Sequence, residues 1–131
     1  MDAFCSFSVA AKAVGKGRPR FAGGRVFTPK ATVDFERMIG WHARIAMKGR
    51  RPTLNPCLVS VVITRKRPLK TKLAAPMGDT DNYVKSILDG MNKIVFVDDR
   101  QAIQISARKQ WGAADMIYVL VKLIEQESQA A

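Results

Sequence analysis

Between Asp79 and Asp99 the chain sets Asp79 and Asp81 two residues apart, then Asn82, Lys85, Asp89 and Asn92, and closes with the pair Asp98-Asp99. Carboxylates and one lysine in so short a run have the makings of a divalent-cation site acting on a phosphoryl group. The formal net charge of the whole chain is +11. Bare carboxylates repel a polyanion, whereas carboxylates holding Mg2+ do not. Acidic ligands set in a cationic body therefore point to metal-assisted attack on a phosphodiester.

All of these donors are hard oxygens, which suits Mg2+ or Mn2+ rather than zinc. Cys5 and Cys57 form no CxxC pair and the chain has one histidine, so no zinc set is in view. Both cysteines read as buried thiols in a reducing cytoplasm.

Particular elements must position the acidic run. Asp79 and Asp81 lie in an extended segment, so their side chains point the same way. The spacing predicts a helix from Asp81, as its N-cap, to Asn92, with Val84, Ile87, Leu88 and Met91 buried. Lys85 and Asp89 fall on the opposite stripe. That helix advances roughly 17 Å. An extended return from Lys93 to Asp98, with Ile94–Val97 as a strand, covers about the same distance. Packed antiparallel to the helix, it would bring Asp98 and Asp99 back beside Asp79 and Asp81, with Lys85 one turn up. Each residue also has a plainer use: Asp81 as a cap, Asp98-Asp99 as a turn, Lys85 as a solvated partner of Asp81 and Asp89. Their concurrence in so basic a protein favours the metal site. Asp89 is the exception, expected to be a structural partner of Lys85 or of a backbone donor.

The positive charge is uneven. Residues 1–72 hold 16 Lys and Arg against three acids, a net of +13, while residues 73–131 carry −2. Two basic loops, at about 14–25 and 65–78, precede the acidic segment in the sequence, the second leading directly into it. Lys16, Arg18, Arg20, Arg65, Lys66, Arg67, Lys70 and Lys72 are the expected DNA contacts. The run Gly15 to Arg20 is no P-loop, because no Gly-Lys-Ser/Thr follows at the needed spacing. Phe21 and Phe27 flank its far end, suited to packing in the core or a dimer, or to stacking on an unpaired base.

The rest of the chain supplies a scaffold. Residues 3–13 read as a first strand and Arg25–Phe27 as a short one. Thr28-Pro29 opens a helix to about Lys48, with Phe35, Met38, Ile39, His42, Ile45 and Ala46 on its apolar stripe. Cys57–Thr64 reads as a strand buried on both faces. Ala102–Lys109, with Ile103, Ile105 and Ala107 on one face, and Met116–Ile124 complete the strands. Residues 125–131 form a polar tail. With 131 residues the chain makes one domain of the α+β class, a mixed β-sheet with two helices packed on one face. No apolar run approaches the roughly 20 residues that span a bilayer, and Met1-Asp2-Ala3 does not open a signal peptide, so no membrane partner is expected.

The acidic segment resembles the signature of the RusA family of Holliday junction resolvases, found in bacteria and often encoded by phages and prophages. Its pattern of Asp-x-Asp-Asn, a lysine three residues on, an Asp four beyond that, then an apolar strand and an Asp pair is matched by Asp79, Asp81, Asn82, Lys85, Asp89, Asn92 and Asp98-Asp99. Lys16 to Phe21 and Val26 to Pro29 are similar to elements of phage-type members, and the likeness spans roughly Phe4 to Leu123. The resemblance implies a homodimeric, Mg2+-dependent crossover junction endodeoxyribonuclease that makes paired symmetric nicks in four-way DNA junctions. It carries the catalytic carboxylates onto Asp79, Asp81 and Asp99, and the essential lysine onto Lys85. Asp98 remains a neighbour that touches metal as well, or instead of Asp99. A two-fold dimer also suits a two-fold-symmetric junction that needs two cuts. Two rival readings stay open: a non-catalytic branched-DNA-binding protein of prophage origin, and a metal phosphohydrolase of small nucleotides, which leaves the basic loops unexplained.

Overall fold

The computed structural model describes residues 3–17 and 20–125. The strands are β1 (Cys5–Val9), β2 (Arg20–Ala22), β3 (Arg25–Phe27), β4 (Cys57–Lys66), β5 (Ala102–Gly112) and β6 (Met116–Leu123). The helices are α1 (Lys30–Met47) and α2 (Thr80–Met91). Four strands form one sheet in the order β1-β6-β4-β5, and β2 and β3 form a separate hairpin. β6 runs antiparallel to β1 and β4, whereas β5 runs parallel to β4. The fold is α+β, with a mixed sheet and both helices on one face. Parallel neighbours need a crossover between them. Here the crossover is the acidic segment itself, so α2 and the Asp98-Asp99 turn are fixed by the pairing of β4 with β5.

β-Branched side chains make β4 a central strand, but its burial alternates. Cys57, Val59, Val61 and Ile63 are buried under the helices, while Leu58, Ser60 and Val62 are half-buried on the open face. The expectation of burial on both faces fails because the helices form a single layer. β1 is shorter than expected, and β4 extends through Arg65 and Lys66.

α1 begins after Pro29, which serves as N-cap, and no Thr28 hydroxyl caps it. It buries Thr32, Phe35, Ile39, Ala43 and Met47. Ile45, expected inside, is 60% exposed because the buried face runs through positions 39, 43 and 47 instead. Gly40 and Gly90 let the two helices touch: a Cβ on Gly90 would lie 2.8 Å from the carbonyl oxygen of Glu36. Among the described residues no helix is long and apolar enough to cross a membrane.

Residues 94–97 are not a strand. Lys93 adopts a left-handed φ of 67°, and its N–H bonds the carbonyl of Phe96 at 2.8 Å. Val95 and Phe96 are fully buried. The apolar run plugs the core from a tight turn instead of running back along α2.

Candidate active-site cleft

The N-cap of α2 lies two residues earlier than expected: it is Asp79, and Asp81 lies in the first turn. The Asp79 carboxylate makes no cap hydrogen bond. Its backbone carbonyl takes the N–H groups of Asn82 and Tyr83, each at 3.1 Å. Asp79, Asp81 and Lys85 are exposed, and none forms an ion pair among the described residues. The plainer uses of Asp81 as a cap and Lys85 as partner of Asp81 and Asp89 are not the ones seen.

The approach to Asp79 is held from three sides. Tyr83 Oη donates to Met77 O at 3.1 Å, Lys109 Nζ to Gly78 O at 2.6 Å, and Trp111 Nε1 to Leu73 O at 2.9 Å. Gly78 has φ 101°, and a Cβ there would collide with the Tyr83 hydroxyl, so only glycine fits. The sequence does not single out Lys109, Tyr83 and Trp111 for this role, because anchoring a loop through its carbonyls leaves no local motif.

Asp81, Lys85 and Asp99 line one cleft of about 460 Å³, walled by Val84, Leu88 and Ile105. Burial pushes the Asp99 carboxyl above its ordinary range; the Asp98 hydrogen bond and the charges of Asp98 and Asp89 add to the rise, while Lys85 opposes it. Asp98 has a different role. It caps the short 3-10 turn Asp99–Gln101, accepting from Arg100 N at 3.0 Å while its own N–H donates to Gln101 Oε1 at 2.9 Å. The Arg100 N–H is the main reason its pKa is lowered. Gln101 Nε2 in turn donates to Thr53 O and Asn55 O, tying this turn to the segment that leads into β4. Asp99 is left facing the cleft.

The four carboxylates are not gathered at one point. Without the extended return, the charges acting on Asp99 are those of Asp98, Asp89 and Lys85. Among the described residues no group of three potential ligands is close enough to enclose a metal ion. Mg2+ needs no such cage: it keeps several waters and uses one or two carboxylates plus substrate phosphates. Two carboxylate side chains opening on one cleft fit that habit, and a lining without histidine or cysteine suits neither zinc nor copper.

The basic loops divide by role. Lys16 Nζ lies 2.6 Å from Glu36 Oε1 and 2.7 Å from Asp89 Oδ2. Burial disfavours its charge, but the bonds and charges of Asp89 and Glu36 outweigh that and raise its pKa. Asp89 is thus structural, as expected, with Lys16 rather than Lys85 as partner. The backbone N–H of Lys16 donates to Asn82 O, the Asn82 side-chain Nδ2 donates back to Lys16 O, and Ser86 Oγ donates to Val14 O at 2.6 Å. The segment 14–17 is therefore stitched to the first turns of α2, and the ammonium of Lys16 is already paired.

Arg18 lies outside the described residues; Arg20 opens β2. Gly23 and Gly24, both with positive φ, turn the β2–β3 hairpin. Phe21 and Phe27 are 78% and 44% exposed on it, so neither is a core residue. At the other loop, Arg65 is half-buried, 3.6 Å from Asp115, while Lys66, Arg67, Lys70 and Lys72 are exposed.

The family model described as Endodeoxyribonuclease RusA matches residues 10–122. That span includes the hairpin, both helices and every carboxylate of the acidic segment. An uncharacterized protein of Bacillus subtilis (strain 168), YqaN, is 26% identical over 136 residues, covering 88% of this chain and 94% of that protein. With its mixed sheet, its α2 crossover and a cleft that joins Asp81, Lys85 and Asp99, the chain belongs to the RusA family of endodeoxyribonucleases.

Proposed function

We propose that this protein is a Mg2+-dependent Holliday junction resolvase that acts as a homodimer and nicks four-way DNA junctions in symmetric pairs. The observation that carries the reading is the shared cleft of Asp81, Lys85 and Asp99 in a chain of this family. Asp81 and Asp99, with Asp79 beside the helix start, would hold Mg2+, with Mn2+ as a substitute. Bound there, the ion supplies Lewis-acid polarisation of the scissile phosphate. Lys85, one turn above Asp81, sets an ammonium where negative charge grows on the phosphoryl oxygens. Burial, with Asp98 and Asp89 nearby, raises the proton affinity of Asp99, and a divalent cation held there would oppose that rise. A bacterial cytoplasm and prophage origin accord with the free buried cysteines and with the phage-type elements around Lys16 and Val26.

The test is a labelled synthetic four-way junction beside a linear duplex of the same sequence, each with and without Mg2+. Paired nicks confined to the junction and to the metal-containing reaction are expected. Tight junction binding with no cutting under any divalent metal would instead support the non-catalytic branched-DNA binder.

Replacing Arg65, Lys66 and Arg67 by alanine should weaken binding to every DNA form alike. Removing one phosphate-binding cation lowers the slope of log K against log salt by about 0.9. Arg65 is partly neutralised by Asp115, so the slope should fall by about 2 rather than about 3. Fluorescence anisotropy across a salt series measures it, and an unchanged slope would mean that this edge faces away from DNA.

A further inference from the structure

α1 carries a second surface that the cleft does not use. Trp41 is 65% exposed, and Arg37 and Arg44 lie one turn to either side of it. The three share a groove between α1 and α2 of about 390 Å³, and a neighbouring groove continues past Arg44 to Arg50, Lys93 and Ile94. The groove meets α2 at Asp89 and Gly90, whereas the cleft meets it at Asp81, Lys85 and Leu88, around the helix.

The charge of this groove is one-sided. Its two acids, Glu36 and Asp89, are both held by Lys16. Arg37, Arg44 and Lys93 form no ion pair among the described residues. Arg50 is turned toward its own helix end, bonding Met47 O and Ala46 O, and stacks over Phe4 at 4.6 Å. An exposed indole between unpaired cations is the arrangement that binds nucleotides without sequence preference: the ring stacks on a base and the cations take the flanking phosphates. Arg37 and Arg44 stand roughly 10 Å apart along the helix, a spacing that reaches phosphates on either side of a stacked base. Two copies of this face brought together would oppose Arg37 and Arg44 to themselves with no free acid to answer them.

We propose that the α1 groove binds single-stranded DNA, with Trp41 stacking on an unpaired base and Arg37 and Arg44 contacting the phosphates beside it. In a junction nuclease, the reading on which this role rests, such a site would take nucleotides unpaired beside the crossover. The binding itself is testable without any cutting.

The probe is a fluorescein-labelled oligodeoxythymidylate of about 15 nucleotides, a length that covers one such site, titrated in EDTA against wild type, Trp41→Ala, Trp41→Phe and the double variant Arg37→Gln/Arg44→Gln. Trp41→Ala should weaken binding about tenfold, within the range for loss of one stacked base, and Trp41→Phe should keep most of the affinity. Intrinsic fluorescence should be quenched by oligonucleotide in wild type and much less in Trp41→Phe, which retains Trp111. The double variant, whose changes are confined to exposed positions, should flatten the salt slope by about 1.4, at about 0.7 for each phosphate released. It keeps the question decidable if Trp41→Ala folds poorly. Wild-type affinity in Trp41→Ala, or undiminished quenching in Trp41→Phe, overturns the proposal. So does a halved sedimenting mass for Trp41→Ala, which would make this face a contact between copies. Loss of oligonucleotide binding in these variants of a protein that never cuts junctions would sustain this groove while removing the resolvase reading.

Discussion

Asp81→Asn should abolish junction cutting, by about 10³-fold or more, the scale on which removal of a preorganised charge at a transition state is felt. The fold should not notice. Asp81 is exposed in the first turn of α2 and makes no ion pair among the described residues, and asparagine keeps its shape. Junction binding should be intact or tighter, since a negative charge is removed from a surface that approaches phosphates. Single-turnover cleavage and gel shift on the same preparation separate the two effects. Normal cutting by the variant would remove Asp81 from the mechanism.

The same measurement distinguishes the adjacent carboxylates Asp98 and Asp99. Asp99→Asn should behave as Asp81→Asn does, because Asp99 is the one that opens on the cleft. Asp98→Asn should be mild: asparagine caps a helical turn as well as aspartate, and the bonds from Arg100 N and to Gln101 can persist. A result in the opposite order would mean that DNA or metal binding rearranges the 3-10 turn.

How far the site is legible in the sequence depends on what kind of interaction makes it. The helix carrying Asp81, Lys85 and Asp89 is legible because its apolar positions repeat with the helical period and nothing competes with them. The return is not. Ile94 to Val97 has the composition of a strand, and only the burial of Val95 and Phe96 beneath the helices turns it into a plug. Among the described residues Asp81 and Asp99 then share one cleft, with no cluster of three or more ligands in place of the expected four. The buried face of α1 is misread at Ile45 for a related reason. Apolar residues lie on more than one side of this helix, and the sheet selects among them. Lys16 looks like one more cation of a basic loop because its partners, Glu36 and Asp89, sit on two different helices.

Lys85→Ala should lower the cleavage rate by about 10²- to 10³-fold, with junction affinity changed by less than about threefold, the order of one exposed charge among many. Two effects act together. The ammonium no longer meets the charge growing on the phosphoryl oxygens, and Asp99 loses the neighbouring cation that holds its pKa down. The sign follows from that. In the metal-free protein the Asp99 carboxyl titrates above the ordinary aspartate range, and removing Lys85 moves it further up. At any mildly acidic pH a smaller fraction is then ionised, and only the ionised form can serve as a ligand. Carboxyl 13C NMR of the metal-free wild type and variant reads this displacement directly, apart from any assay of cutting. A rate loss with the upward displacement would place Lys85 in the cleft's electrostatics, acting on substrate and on Asp99 at once. A loss confined to affinity, with Asp99 unmoved, would reassign Lys85 to anchoring a phosphate outside the reacting centre.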